Sequence, residues 1–119
     1  MHLTNIELGK IGEDLAASYL QGHGYVILGR NWRSARVELD IIARDKNTLV
    51  FCEVKTRRSI SHGYPSEAIT AIKLAHIRTA ALHWLTHNRS QYSGVRFDVV
   101  SVLYCHDENS KITHIKGLD

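Results

Sequence analysis

Two neighbouring apolar runs carry side chains of the kinds that hold metal ions and activate water. Asp40 lies in Val37-Glu38-Leu39-Asp40-Ile41-Ile42, and Glu53 and Lys55 lie in Leu49-Val50-Phe51-Cys52-Glu53-Val54-Lys55. Read as strands, both runs send successive side chains to opposite faces. In the first, Val37, Leu39 and Ile41 share one face, and Glu38 and Asp40 share the other. In the second, the face that begins with Leu49 and Phe51 changes to Glu53 and Lys55, so two charged groups emerge at the end of a strand whose beginning is covered. Asp45-Lys46-Asn47 reads as a tight turn between the runs, which makes the strands antiparallel neighbours. Asp40 precedes that turn by about as much as Glu53 follows it, so pairing across the hairpin brings the two carboxylates together. Adjacent carboxylates repel unless a cation neutralises them, and oxygen donors favour a hard ion such as Mg²⁺ or Mn²⁺. A lysine two residues beyond the second carboxylate points the same way, where it can steady an attacking water or offset charge on a scissile phosphate. Glu-x-Lys alone is commonplace on solvated strand faces; Asp40 on the preceding strand and the apolar lead-in Leu49-Val50-Phe51 make chemistry the better reading.

The elements that must position these groups follow from periodicity. Leu8, Ile11, Leu15 and Tyr19 recur at helical steps and predict a helix from Asn5 to about Gln21, capped by Thr4 or Asn5 and stopped by Gly22 and Gly24. Tyr25 to Leu28 reads as a short strand, followed by stronger strands over Val37–Arg44 and Thr48–Thr56. A second helix is expected from Pro65-Ser66-Glu67 to about His87, with Ile69, Ile77, Ala80, Ala81 and Trp84 on one side. Arg96–Leu103 and Lys111–Ile115 close the chain as strands. The order αβββαββ predicts an α/β sandwich around a mixed sheet, as one domain over residues 1–119.

Composition excludes several classes. Hydrophobic residues make up 44% of the chain, too many for a disordered tail, and no apolar run reaches the ~20 residues of a bilayer-spanning helix. Cys52 and Cys105 are too few for a disulfide framework, and the N-terminus lacks the layout of a signal peptide, so a cytoplasmic protein with reduced thiols is expected. The net charge of +3 identifies no partner, but its distribution is informative. Between Arg30 and Arg58 eight bases face four acids, a net +4 that exceeds the charge of the whole chain. That layout suits a phosphate backbone, with Arg33, Arg36, Arg57, Arg58 and Lys73 as expected nucleic-acid contacts. Trp32, between Arg30 and Arg33, reads as a core anchor ahead of a stacking platform. Glu13 sits at the edge of the first helix's apolar stripe, and Glu38 shares a face with Asp40 as a solvated acid or a supporting group. Lys73 lies on the apolar side of the second helix, as a snorkelling stem or a partner of the acidic cluster. His83 and His87 have zinc-like spacing without a third ligand, and Asp98 reads as a structural salt-bridge partner.

Asp40 followed by Glu53-x-Lys55 on the next strand resembles the PD-(D/E)xK signature of restriction-endonuclease-like nucleases. More closely, the chain resembles the bacterial YraN family within that superfamily. The matching pieces are Gly12-Glu13 with Ala16 or Ala17 and Leu20, Gly24-Tyr25, Arg30-Asn31-Trp32-Arg33, Glu38-Leu39-Asp40-Ile41-Ile42-Ala43, and Val50-Phe51-Cys52-Glu53-Val54-Lys55-Thr56-Arg57, with Gly63, Lys73 and Arg96-Phe97-Asp98-Val99-Val100 further on. Val37 departs from the family, which usually has Gly at that place. The resemblance implies a restriction-endonuclease-like sandwich, a mixed sheet flanked by helices, similar to the archaeal Holliday-junction resolvases, which work as dimers. It implies Asp40 and Glu53 as Mg²⁺ ligands, Lys55 as the residue that assists the water, and Glu13 as a helix-borne acid completing the site, with the Val54 carbonyl as a further metal ligand. The expected function is Mg²⁺-dependent hydrolysis of phosphodiester bonds in DNA, branched or otherwise structured; the alternative is a catalytically silent nucleic-acid-binding module on the same fold.

Overall fold

The computed structural model describes residues 2–34, 37–58, 69–88, 91–105 and 109–118. Helix α1 (Asn5–Gly22) begins at a reciprocal cap: the Thr4 hydroxyl accepts from the Glu7 N–H at 3.1 Å, and the Thr4 N–H donates to the Glu7 carboxylate at 2.9 Å. Strands β1 (Val26–Ser34), β2 (Val37–Asp45) and β3 (Thr48–Arg57) follow, then α2 (Ala71–His87), β4 (Gly94–Leu103) and β5 (Lys111–Ile115). The order αβββαββ is the one the sequence predicts. The five strands form one sheet in the order β1-β2-β3-β4-β5, with β3 parallel to β4 and every other neighbour antiparallel. Among the described residues no helix is long and apolar enough to cross a membrane.

Each helix covers one face. On the α1 side, Ala16, Ala17 and Leu20 pack with Ile41, Ala43, Val50, Cys52, Val100 and Val102. On the α2 side, Ile77, Ala80, Ala81 and Trp84 pack with Leu39, Ile42, Leu49 and Phe51, and Phe51 meets Trp84 edge-on and stacks on Phe97. Trp32 joins this second cluster, in keeping with its reading as an anchor.

Four expectations need correction. The first strand runs to Ser34, not Leu28; its outer half, Arg30-Asn31-Trp32-Arg33, is an edge ribbon with no apolar alternation to betray it. Helix α2 starts at Ala71, because Thr70 is extended (φ −83°, ψ 163°) and its hydroxyl accepts from the Lys73 N–H; Gly63 and Pro65-Ser66-Glu67 lie outside the described residues. The buried stripe of α1 is Leu8, Gly12, Ala16, Ala17 and Leu20, with Ile11, Leu15 and Tyr19 only half-buried at its margins. Finally, Val37, Leu39 and Ile41 do not share a face: Val37 and Leu39 pack on the α2 side, and Ile41 packs on the α1 side.

That last difference marks a kink. The β1–β2 pairing passes from Arg30↔Ile41 to Trp32↔Leu39, and Asn31 between them has φ 54°, a left-handed conformation that asparagine tolerates better than most residues. The flip at Asn31 and Asp40 reverses the alternation on both strands. Arg30 therefore reaches α1, whereas Trp32 faces α2.

Candidate metal and phosphate site

The kink lies where β2 and β3 part. Their ladder runs from Asp45↔Thr48 to Ile41↔Cys52, and the next step would set Asp40 opposite Glu53. Instead, the Asp40 side chain replaces the missing backbone acceptor, and its Oδ2 accepts the Val54 N–H at 2.8 Å. The two strands thus diverge without leaving that amide unpaired.

Three elements deliver acids to this notch. Helix α1 brings Glu13, and the kinked β2 brings Glu38 and Asp40; one carboxylate oxygen from each lies within 4.8 Å of the others. A shallow cleft lined by Asn5, Gly9, Glu13, Asp40, Val54 and Thr56 opens beside them. On the other side of Asp40 stands Glu53, on β3. It is almost fully buried, with Lys55 Nζ at 3.8 Å and Lys73 Nζ, from α2, at 3.9 Å. Lys73 is therefore a partner of the acidic cluster as well as a helix stem. Burial raises both carboxyls above their ordinary range. Asp40 is pushed up to about 7, first by burial and then by the charge of Glu53, with Glu13 and Glu38 adding to it and the Val54 N–H opposing it. Glu53 is raised by burial against the pull of Lys73 and Lys55 and a hydrogen bond with Asp40. Asp40 is thus the shared member of two groups, Glu13/Glu38 on the α1 side and Glu53/Lys55/Lys73 on the α2 side.

Gly12 explains how Glu13 gets there. A Cβ at Gly12 would stand 1.8 Å from Thr56 Oγ1 and 2.7 Å from Thr56 Cβ, so α1 rests directly on the end of β3. Gly12→Ala is expected to lift the helix, cost about 1–3 kcal/mol and withdraw Glu13 from Asp40. Thermal melting checks the first effect. Thr56→Gly, which removes the opposing side chain, should restore part of the loss, and Thr56→Ala, which keeps the Cβ, should restore less.

The remaining expected site residues divide. Arg33 lies 3.5 Å from Glu38 and is largely exposed. Arg58 is drawn to the start of α1, donating to Asn5 Oδ1 at 3.0 Å and to the Leu3 carbonyl. Arg57 ends β3, and its carbonyl accepts from the Tyr104 N–H. Arg36 lies outside the described residues. The histidine pair does not converge: His83 meets Ser34 Oγ, and the His87 ring donates to the His83 carbonyl at 2.9 Å. A second trio, Cys52, Asp98 and His114, also lies within 4.8 Å. There Asp98 is already engaged by Arg96, His114 and the Gly117 N–H, and burial pushes the Cys52 thiol up, so this trio is structural.

The family model of the uncharacterised protein family UPF0102 matches residues 12–102. This chain belongs to that family. It is 45% identical over 115 residues to a UPF0102 protein of Renibacterium salmoninarum, covering 97% of this chain and 98% of that one. It is 46% identical over 112 residues to a UPF0102 protein of Rhodococcus opacus, covering 94% and 95%, and 47% identical over 117 residues to one of Syntrophotalea carbinolica, covering 98% and 94%. The region matched by the UPF0102 model contains Glu13, Glu38, Asp40, Glu53, Lys55 and Lys73, the whole of the acidic notch and its lysines. Glu38, read as sharing a face with Asp40, does lie with Asp40 and Glu13. One contributor to this UPF0102 notch escapes a reading of residue types. Gly12 has no side chain to suggest a role, although a glycine inside a strongly helical run is itself a signal of close approach.

Proposed function

We propose that this UPF0102 chain is a Mg²⁺- or Mn²⁺-dependent endonuclease of the PD-(D/E)xK type, similar to the archaeal Holliday-junction resolvases, acting on phosphodiester bonds of branched or structured DNA. The observation that carries the reading is the position of Asp40, at the point where β2 and β3 part and in contact with acids from α1, β2 and β3. The donor set fits a hard cation: carboxylate oxygens from Glu13, Glu38 and Asp40 converge, and burial, then the charges of Glu53, Glu13 and Glu38, raise Asp40. Asp40, Glu53, the Val54 carbonyl and Glu13, with Glu38 beside them, would hold the ion, which would supply charge neutralisation at a phosphate and a more acidic bound water. Lys55, beside Glu53, is suited to orient that water, and Lys73 to keep Glu53 ionised. Arg33, Arg57 and the exposed bases around them provide phosphate contacts.

The test is a cleavage screen of linear, single-stranded, flapped and four-way DNA with each metal. Lys55→Met should lower cleavage by about 10²–10³-fold with DNA binding retained, and Glu53→Gln should remove it. Unchanged cleavage by Glu53→Gln rules this site out. A second reading has its own support: Glu13 and Glu38 already have arginine partners, as expected of a silent nucleic-acid-binding module. Salt-sensitive DNA binding with no nicking under either metal selects that alternative.

A further inference from the structure

Four acids meet at the notch, Glu13, Glu38, Asp40 and Glu53, and four bases face them. Lys55 and Lys73 approach the buried Glu53. The other two bases come from the edge strand β1. Arg30 Nη2 lies 3.2 Å from Glu13 and 2.6 Å from Asp14, and Arg33 Nε lies 3.5 Å from Glu38. Arg30 is thus bonded both to an acid inside the notch and to one at its rim; the Asp14 side chain is 68% exposed. Counting Asp14 at the rim, five acids face four bases. A divalent cation placed among Glu13, Glu38 and Asp40 would compete with both arginines for the same oxygens and tip the notch to a positive surplus. A phosphate-bearing ligand would restore the balance.

We infer that Arg30 and Arg33 are exchangeable counter-ions: a divalent cation displaces them from Glu13 and Glu38, and the displaced guanidinium groups then hold the phosphates of a nucleic-acid strand lying along the β1 edge. Cation and nucleic acid therefore bind with positive cooperativity, each tightening the other by the same factor. The Asn31 kink is what aims Arg30 at α1, so the device is built into the strand. Both arginines sit on an edge strand, with side chains 35% and 74% exposed, where a strand of nucleic acid has access. The inference rests on the metal reading proposed above.

The experiment uses the full chain and two probes, Mn²⁺ alone by calorimetry and a labelled DNA duplex by polarisation at several salt concentrations, in chelator and in Mn²⁺. Without DNA, Arg30→Gln/Arg33→Gln should bind Mn²⁺ about 3- to 10-fold more tightly than wild type, because two competing ion pairs are gone. Arg30→Lys, which keeps the charge, should fall between the two. With DNA, the slope of log affinity against log salt should drop by about 1 per arginine in Mn²⁺ and change little in chelator. Unchanged or weaker Mn²⁺ binding by the double variant overturns the inference, as does an equal loss of slope in both conditions. Asp40→Asn separates the two levels: if it binds Mn²⁺ like wild type, or wild type binds none, the metal reading fails and the inference falls with it. If Asp40→Asn alone loses binding and the arginine variants match wild type, only the inference fails.

Discussion

Asp40→Asn is expected to abolish divalent-cation binding and, in the same protein, to raise thermal stability in chelator at pH 8. The two effects have one origin. Asp40 is held among Glu53, Glu13 and Glu38 in a poorly solvated notch, and its carboxyl is raised from 3.8 to about 7. A carboxyl whose folded value lies above its unfolded value binds its proton more tightly in the folded state, so folding weakens as the pH climbs through that interval. The metal-free wild type should therefore lose stability from about pH 4 to pH 7 and stay at the lower level above it, an effect of about 1–3 kcal/mol. The asparagine carbonyl can still accept from the Val54 N–H, and its amide can donate to the neighbouring carboxylates, so the variant should lose less stability over this interval, the remainder coming from the buried Glu53. Calorimetric melting at pH 5, 6, 7 and 8 in chelator checks it. Adding Mn²⁺ should then raise the wild-type midpoint and leave the variant's unchanged, since only a ligand bound to the folded state stabilises it. A lower midpoint for the variant at pH 8 would mean that the charged bond to Val54 outweighs the repulsion.

The second large effect falls on the neighbouring strand β4, where Asp98 pairs with Cys52, and concerns stability alone. Asp98→Ala is expected to cost about 3–5 kcal/mol, the range for breaking a buried ion pair by removing one partner. The Asp98 side chain is fully buried and accepts from Arg96 Nε at 2.9 Å and Nη2 at 3.0 Å, from His114 Nε2 at 2.7 Å and from the Gly117 N–H at 3.0 Å. Arg96 also reaches Tyr25 and Asp45, so the one carboxylate ties β4 to β5, to the segment after α1 and to the end of β2. Burial pushes Asp98 up, but the bonds from His114, Arg96 and Gly117 outweigh it and hold the carboxyl below its ordinary value. This contribution is present above the ordinary carboxylate range and is lost as the pH falls through the folded value. Urea unfolding at pH 7 measures the loss directly. Divalent-cation binding at the notch should survive in whatever fraction remains folded.

Much of the candidate site was legible because β3 is regular. Strict alternation carries Phe51 into the core and Glu53 and Lys55 onto the same face, and a two-residue turn at Lys46-Asn47 sets the register that brings Asp40 level with Glu53. The kink was not legible, since a single left-handed residue at Asn31 changes which face every residue outward of it occupies, and no residue type announces that. Glu38, already read as sharing a face with Asp40, lies beside Glu13 as well. The extent of β1 was hidden for a related reason: an edge strand rich in Arg and Asn has no core face to impose a pattern. In α1 the largest apolar residues drew the predicted stripe toward Ile11 and Leu15. The contact is made by Leu8, Gly12, Ala16, Ala17 and Leu20, and the small residues among them let the backbones approach.

The two flanks of β3 are supported over unequal lengths. On one side β3 is laddered to β4 as far as Arg57↔Leu103; on the other β2 lets go after Ile41↔Cys52. Glu53 and Lys55 therefore belong to the rigid half, braced by a strand that runs the full length beside them. Glu38 and Asp40 belong to a ribbon that extends past its last β3 partner, where the Val54 N–H bonds to Asp40, Val37 and Leu39 pack on the α2 side and β1 ladders alongside. A ligand that took that oxygen would break this link between β2 and β3 and leave the β3–β4 ladder intact, so any opening would fall on the β2 side.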